Sequence, residues 1–325
     1  MATESNWQIS PSRQPKREDY GFDLDKALAS VVGVRTRVPD DAFTAETLGT
    51  ERGGNGVVIR NGVVLTIGYL LTEAEEIWLT TSDGRTLPGH PLAYDQVTGF
   101  GLVQALGTLD LPVMPLGSSA DAEIGSSVVV AGAGGRPHAL AAKLVARQEF
   151  AGYWEYVLDE ALFTAPAHPF WGGAAVIGAE GELLGVGSLQ LEQATSSGES
   201  GHLNMIVPID ILKPILADLL TRGQADRPPR PWLGLLATEI DDDIYVAGLS
   251  TGGPAEKAGL RTGDKLAAVA GHKVPGLAGF FRAYWALGDA GIDVPLTIER
   301  ERQSFEVKVH SADRGSFLKA PRMHS

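Results

Sequence analysis

Cysteine is absent from the 325 residues, which excludes disulfides, thiol catalysis and thiolate metal sites together. The absence leaves the compartment open, since a cysteine-free chain tolerates either redox state. No run of 18 apolar residues occurs, so no membrane-spanning helix is expected. There is no Lys/Arg-rich block either, and the formal charge is −13. That balance is a poor match to nucleic acid or to an anionic membrane. The seven histidines are scattered, without His-x-His or His-Glu-x-x-His, so neither a metal nor another cofactor is expected. Met1 to Lys26 is polar and lacks the apolar core of a signal peptide. Taken literally this reads as cytoplasmic, or periplasmic if the chain is a trimmed form. Internal repeats, coiled coil and low-complexity tracts are also missing.

What is present reads as globular. Hydrophobic residues make up 44% and charged residues 21%, which excludes wholesale disorder. The length suits two domains better than one. With 40 glycines, 19 prolines and many short Val/Ile/Leu runs, the pattern favours a turn-rich, mainly β architecture. Residues 1–26 form a polar arm whose large apolar anchors are Trp7, Tyr20 and Phe22. Short strands follow from Leu28. Gly56 to Arg60 and Val63 to Thr66 flank Asn61-Gly62, a hairpin signal. Ile77 to Thr81 precedes a Ser-Asp-Gly-Arg turn, and further strands are expected at 101–105, 127–131, 155–163, 174–177, 182–190 and 203–207. After Pro208, the apolar residues Ile209, Leu212, Leu216, Leu219 and Leu220 share a helical face that stops at Arg222-Gly223. Residues 223–231 are proline-rich and polar, a semi-rigid linker. A second unit occupies 232–312, and 313–325 is a short tail.

Two motif series give these units a likeness. Gly53-Gly54-Asn55-Gly56-Val57-Val58-Ile59, Val64 to Leu71, Ser82-Asp83-Gly84-Arg85, Asp95 to Val103, Gly181 to Val186 and Asn204 to Asp210 occur in order. They resemble successive segments of the HtrA (DegP/DegS-like) serine proteases. Pro231-Trp232-Leu233-Gly234-Leu235 and Gly253-Pro254-Ala255-Glu256-Lys257-Ala258-Gly259-Leu260-Arg261-Thr262-Gly263-Asp264 resemble the PDZ domain that such proteases carry. The resemblance covers about residues 27–312. It implies a trypsin-like double β-barrel over 27–222 and a PDZ domain over 232–312.

Within that frame the catalytic positions are altered. The family's histidine falls on Tyr69, its aspartate on Gly99 and its Gly-Asn-Ser-Gly-Gly on Pro169-Phe170-Trp171-Gly172-Gly173. Acyl transfer needs a nucleophile, a base and a carboxylate that orients the base. Trp171 has no nucleophilic atom. Tyr69, with an ordinary pKa of about 10, is a poor base at neutral pH. Gly99 supplies no side chain, and Pro169 removes a backbone N–H from the oxyanion hole. No serine lies between Asp159 and Ala179 to take over. His168 stands nearby, and without a nucleophile it reads as a surface or hydrogen-bonding histidine. Gly132 to Pro137 follows a strand like a nucleotide loop, yet no helix is expected after it. Asp241-Asp242-Asp243 lacks the other ligands of a calcium loop and reads as a solvated turn.

The PDZ groove remains. Such a groove captures a protein C-terminus or an unfolded peptide as an added strand, its loop N–H groups holding the terminal carboxylate. The resemblance assigns that loop to Trp232, Leu233, Gly234 and Leu235. Across it a helix is expected within Ala278 to Leu287, with at least one of Phe280, Phe281 and Tyr284 touching the ligand. The reading is therefore a catalytically inactive HtrA-like homologue acting as a peptide-binding adaptor, chaperone-like holder or regulator. Two alternatives stand beside it. One is a serine hydrolase of residual or unconventional activity using Ser126, Ser127 or Ser188. The other is a structural subunit of a hetero-oligomer. The resemblance also implies trimers built through the arm, or assembly with an active relative; docking of the arm on its own barrel is equally compatible with the sequence.

Overall fold

The computed structural model describes residues 7–194 and 200–320. The chain forms two compact units. One takes the chain up to Gln148 and then Glu160–Asp226; the other takes Glu149–Asp159 and Arg227–Lys319.

The first unit holds two six-stranded closed barrels. Strands β1 (Val31–Arg37), β2 (Glu51–Arg60), β3 (Val63–Ile67), β4 (Glu76–Thr80), β5 (Thr86–Tyr94) and β6 (Phe100–Ala105) close in the order β1-β2-β3-β6-β5-β4. Strands β7 (Ser127–Ala131), β8 (Ala139–Gly152), β9 (Tyr156–Ala165), β10 (Ala175–Ile177), β11 (Leu183–Ala194) and β12 (Ser200–Pro208) close as β10-β11-β12-β9-β8-β7. Val57, Leu65, Leu79 and Leu102 in the first barrel and Val130, Val176 and Ile206 in the second are sealed from solvent. Each such side chain contributes about 1.5–3 kcal/mol of burial. Closure also removes the exposed edges that open sheets must protect.

Two short helices decorate this unit, α1 (Leu24–Ala29) and α2 (Ala45–Leu48), and α3 (Leu216–Arg222) ends it. The helix expected from Ile209 is shorter than its apolar face suggests. Residues Ile209–Ile211 form a 3-10 turn, and α3 begins only at Leu216. Pro214 lies between the two pieces and cannot donate to a continuous ladder. The stop at Gly223 takes a left-handed φ of 74° and closes on Leu219 O, as a C-cap glycine does. At the Asn61-Gly62 hairpin only Gly62 has positive φ, and the register slips between Val58 and Arg60. The turn is therefore bulged, because a plain type I′ turn needs both central residues left-handed.

The arm anchors dock on their own chain. Trp7 stacks on Phe170 with ring centroids 4.2 Å apart, Ile9 N–H donates to Pro137 O, and Ile9 joins the second barrel's core. The Phe22 ring lies against Gly181, where an added Cβ would approach it to 2.8 Å.

The second unit is a sheet ordered β13-β14-β15-β17-β18, with β16 paired to β15. Its strands are β13 (Leu235–Ile240), β14 (Asp243–Leu249), β15 (Lys265–Val269), β16 (His272–Lys273), β17 (Asp293–Arg300) and β18 (Gln303–His310). Helices α4 (Pro254–Lys257) and α5 (Gly276–Trp285) complete it. Pro254 opens α4, where a missing N–H costs least. Asp241 and Asp242 form the two-residue turn between β13 and β14, at φ 51° and 65°. Among the described residues no helix is long and apolar enough to cross a membrane.

Candidate functional site

The chain between β9 and β10 makes the turn that the sequence singles out, and His168 anchors it from below. Its side chain is fully buried. Phe170 N–H donates to His168 Nδ1 at 3.1 Å, so that nitrogen carries no proton. The proton is then on Nε2, which donates to His138 O at 3.0 Å. Burial holds this imidazole below its ordinary pKa. His168 is thus a neutral, hydrogen-bonded core residue. Asn204 Oδ1 accepts His168 N–H at 2.6 Å and fixes the approach to the turn.

Asn55 on β2 clamps the other side. Its Nδ2 donates to Phe170 O at 2.9 Å and Gly172 O at 3.2 Å, while Oδ1 accepts Ala133 N–H at 2.8 Å. Gly173 turns at φ 75°, and a Cβ there would lie 1.8 Å from Asn55 O. The chain packs closely at this point because Gly173 has no side chain.

Tyr69 lies on the 3-10 turn Gly68–Leu70 after β3. Its phenol donates to Ser188 O at 3.0 Å, and a Cβ on Gly172 would come within 2.7 Å of the phenol oxygen. Burial pushes this phenol well above its ordinary pKa, so it holds its proton and acts as a donor. Gly68 N–H donates to Gly99 O at 2.7 Å. Gly99 has φ 80° and closes a loop in which the Asp95 carboxylate accepts both Thr98 N–H and Thr98 O–H. Behind Tyr69, the Arg52 guanidinium donates to Tyr69 O and Thr72 O. Trp171 is partly buried, and its carbonyl accepts Ala174 N–H at 2.9 Å. Tyr69, Asn55, Phe170 and Trp171 face a cleft of about 770 Å³, with Trp7 and Arg35 on its other walls. No hydrogen bond joins Ser126, Ser127 or Ser188 to a histidine or lysine among the described residues. No cluster of metal-ligating side chains occurs among them either.

The second site lies wholly in the second unit. Leu233, Gly234 and Leu235 present successive N–H groups at the start of β13, one of the edge strands of the sheet. Gly234 makes the bend at φ 74°. These donors converge on one carboxylate, that of Glu155: Leu233 N–H to Oε2 at 2.9 Å, Gly234 N–H to Oε1 at 2.7 Å and Leu235 N–H to Oε1 at 2.9 Å. Tyr284 O–H on α5 adds a fourth bond to Oε2 at 2.5 Å. Desolvation pushes the Glu155 carboxyl above its ordinary range, against the pull of those four donors. Burial and the adjoining Glu155 charge push the Tyr284 phenol far up, so it stays protonated.

Phe280, Phe281 and Tyr284 are all fully buried and belong to the unit's core. The Tyr284 hydroxyl points to Glu155, the carboxylate that the loop holds. Trp232 is nearly buried and packs against Phe317 at 4.8 Å. Glu155 itself is a functional candidate that sequence reasoning misses. An acid at a hairpin tip carries no signal of its own, and its partners follow 78 to 129 residues later.

A trypsin-like peptidase domain model matches residues 54–186, and a PDZ domain model matches residues 231–310. The chain carries a trypsin-like peptidase domain followed by a PDZ domain. A probable periplasmic DegP-like serine endoprotease of Hahella chejuensis is 26% identical over 235 residues, covering 68% of this chain and 49% of the relative. The Do-like serine protease HtrA of Bacillus subtilis is 22% identical over 294 residues, covering 80% of this chain and 64% of that one. The chain spans about half the length of several curated HtrA-type relatives that it matches. Among solved structures, the HtrA-type protease AlgW with a decapeptide has a TM-score of 0.53 at 18% identity, covering 93% of this chain and 100% of that one. The HtrA-like fold is thereby shared along the chain, and a PDZ domain implies peptide binding.

Proposed function

We propose that this chain is a non-catalytic HtrA-like protein whose retained activity is the binding of polypeptide ends at its PDZ unit. The observation that carries the reading is the environment of Tyr69. At the position expected for the base stands a phenol that keeps its proton and donates a hydrogen bond to Ser188 O. The neighbouring turn offers an indole at Trp171, and Pro169 has no N–H to donate. Gly99, at φ 80°, offers no side chain and only its carbonyl to Gly68 N–H, next to Tyr69. A hydrolytic cycle needs proton removal from a nucleophile, orientation of the base and stabilisation of an oxyanion. Each of these functions lacks its group at the aligned position. The imidazole of His168 does not substitute, because both of its nitrogens are committed to backbone atoms.

On this reading the barrels are a scaffold, and the molecule works as an adaptor or holder. Restoring the nucleophile alone does not restore chemistry. Trp171→Ser is expected to cleave casein no faster than the wild-type chain, both at the no-enzyme background, with an active DegP-like protease as positive control. Robust cleavage by that single variant would overturn the reading, since it would mean that a base and an oxyanion hole are already in place.

A further inference from the structure

The carboxylate-binding loop of the PDZ unit is already filled, and the chain fills it itself. The segment Glu149–Asp159, drawn from between the two barrel strands β8 and β9, belongs to the second unit. At its tip, Glu155 places both carboxylate oxygens on the loop: one takes Gly234 and Leu235 N–H, the other Leu233 N–H and Tyr284 O–H. Two residues earlier, Tyr153 O accepts Ala237 N–H at 2.8 Å, a strand-type bond on the free edge of β13. A terminal carboxylate in the loop plus a backbone bond to the edge strand is how a captured peptide end is held. Here an internal side chain and its own hairpin reproduce both.

Three features argue that this is a ligand-like contact rather than an ordinary buried acid. No lysine or arginine pairs with Glu155 among the described residues; its partners are three backbone N–H groups and a phenol, the donor set of an oxyanion site. Glu155 also sits at φ 61°, the left-handed final position of a three-residue hairpin loop, where glycine is usual. Such a conformation persists only where its surroundings over-determine it. Finally, the flanks are held lightly. Glu149 and Asp159 both pair with Arg282 on α5, and all three side chains are substantially exposed, so these ion pairs add little and weaken with salt.

We propose that Tyr153-Trp154-Glu155 is a built-in ligand of the PDZ groove, with Glu155 standing in for a terminal carboxylate, and that an external peptide C-terminus binds by displacing it. The proposal rests on the reading of this groove as a peptide site. The external ligand is a polypeptide with a free α-carboxylate, because it must offer two oxygens to the same four donors. Its apparent affinity is reduced by the fraction of molecules in which the groove is open.

The test compares the full wild-type chain with Glu155→Gln and Glu155→Gly, the latter chosen because glycine suits the left-handed position. The probes are fluorescein-labelled decapeptides, randomised except for a C-terminal Val, Leu or Phe, with free carboxylates, and the same panel amidated. With an open fraction of about 1–10% in the wild type, both variants should bind the free-acid panel about 10–100-fold more tightly. Amidation should abolish binding. In parallel, hydrogen exchange at the Leu233, Gly234 and Leu235 amides should be faster in both variants than in the wild type. Equal affinities and equal exchange in all three proteins would overturn the proposal. If exchange accelerates but no protein binds any peptide, Glu155 is the resident occupant while peptide capture, and displacement with it, is contradicted. If nothing binds and exchange is unchanged, both ideas fall.

Discussion

His168 shows how a residue beneath the turn between β9 and β10 is held by hydrogen bonds to backbone atoms on both sides of its ring. Its Nδ1 accepts Phe170 N–H, and its Nε2–H meets His138 O. A second proton on the ring would set two donors against each other at Nδ1. The folded chain therefore resists protonation, and burial lowers the pKa. The sign follows directly. Below about pH 6.5 the unfolded chain takes up the proton first, so stability falls as pH drops until the buried ring itself titrates. Between pH 7.5 and 5.5 the wild type should lose about 1 kcal/mol more unfolding free energy than His168→Gln, measured by urea denaturation at each pH. Equal losses in the two proteins would contradict this account. The roles of Tyr69, Gly99 and Trp171 are set at the same scale. Their identities are readable in the sequence, whereas the Tyr69 bond to Ser188 O is not, because it joins residues brought together only by the fold.

Among the elements, the hairpins divide into those with evident turn chemistry and those without. Asn61-Gly62 announces its turn, and Gly223 announces the end of α3. By contrast β8 (Ala139–Gly152) is Ala-rich and carries Lys143, Arg147 and Gln148, a composition with more helical than strand propensity. Its strand state is imposed by pairing with β7 over Ser127 to Ala131. A reading by propensity therefore passes over the element that delivers Glu155 to the PDZ loop. The Arg300–Gln303 hairpin between β17 and β18 turns on Glu301 and Arg302, at φ 50° and 64°, positions that favour Asn and Gly. Replacing them by Asn-Gly removes the steric cost of a Cβ at φ > 0 in the second position. The double variant Glu301→Asn/Arg302→Gly should stabilise the second unit by about 1 kcal/mol. The check is slower hydrogen exchange along β17 and β18; faster exchange would show that the Glu301 and Arg302 side chains contribute more than their backbone costs.

For the whole molecule, the class of fold was legible because barrels and PDZ sheets leave ordered series of short strands, glycine turns and motifs. The division of the chain was less so. Residues 149–159 lie in the middle of the first unit's sequence and belong structurally to the second, an exchange that local pattern does not encode. At −13 the chain as a whole disfavours polyanionic partners. The central claim is that the barrels are kept as scaffold without acyl-transfer chemistry. Its most direct test is intact-mass measurement of the folded full chain after exposure to excess fluorophosphonate probe, beside an active HtrA-type protease. The account predicts the unmodified mass for this chain and a single adduct on the control. One stoichiometric adduct on this chain, lost when it is denatured before labelling, would contradict it.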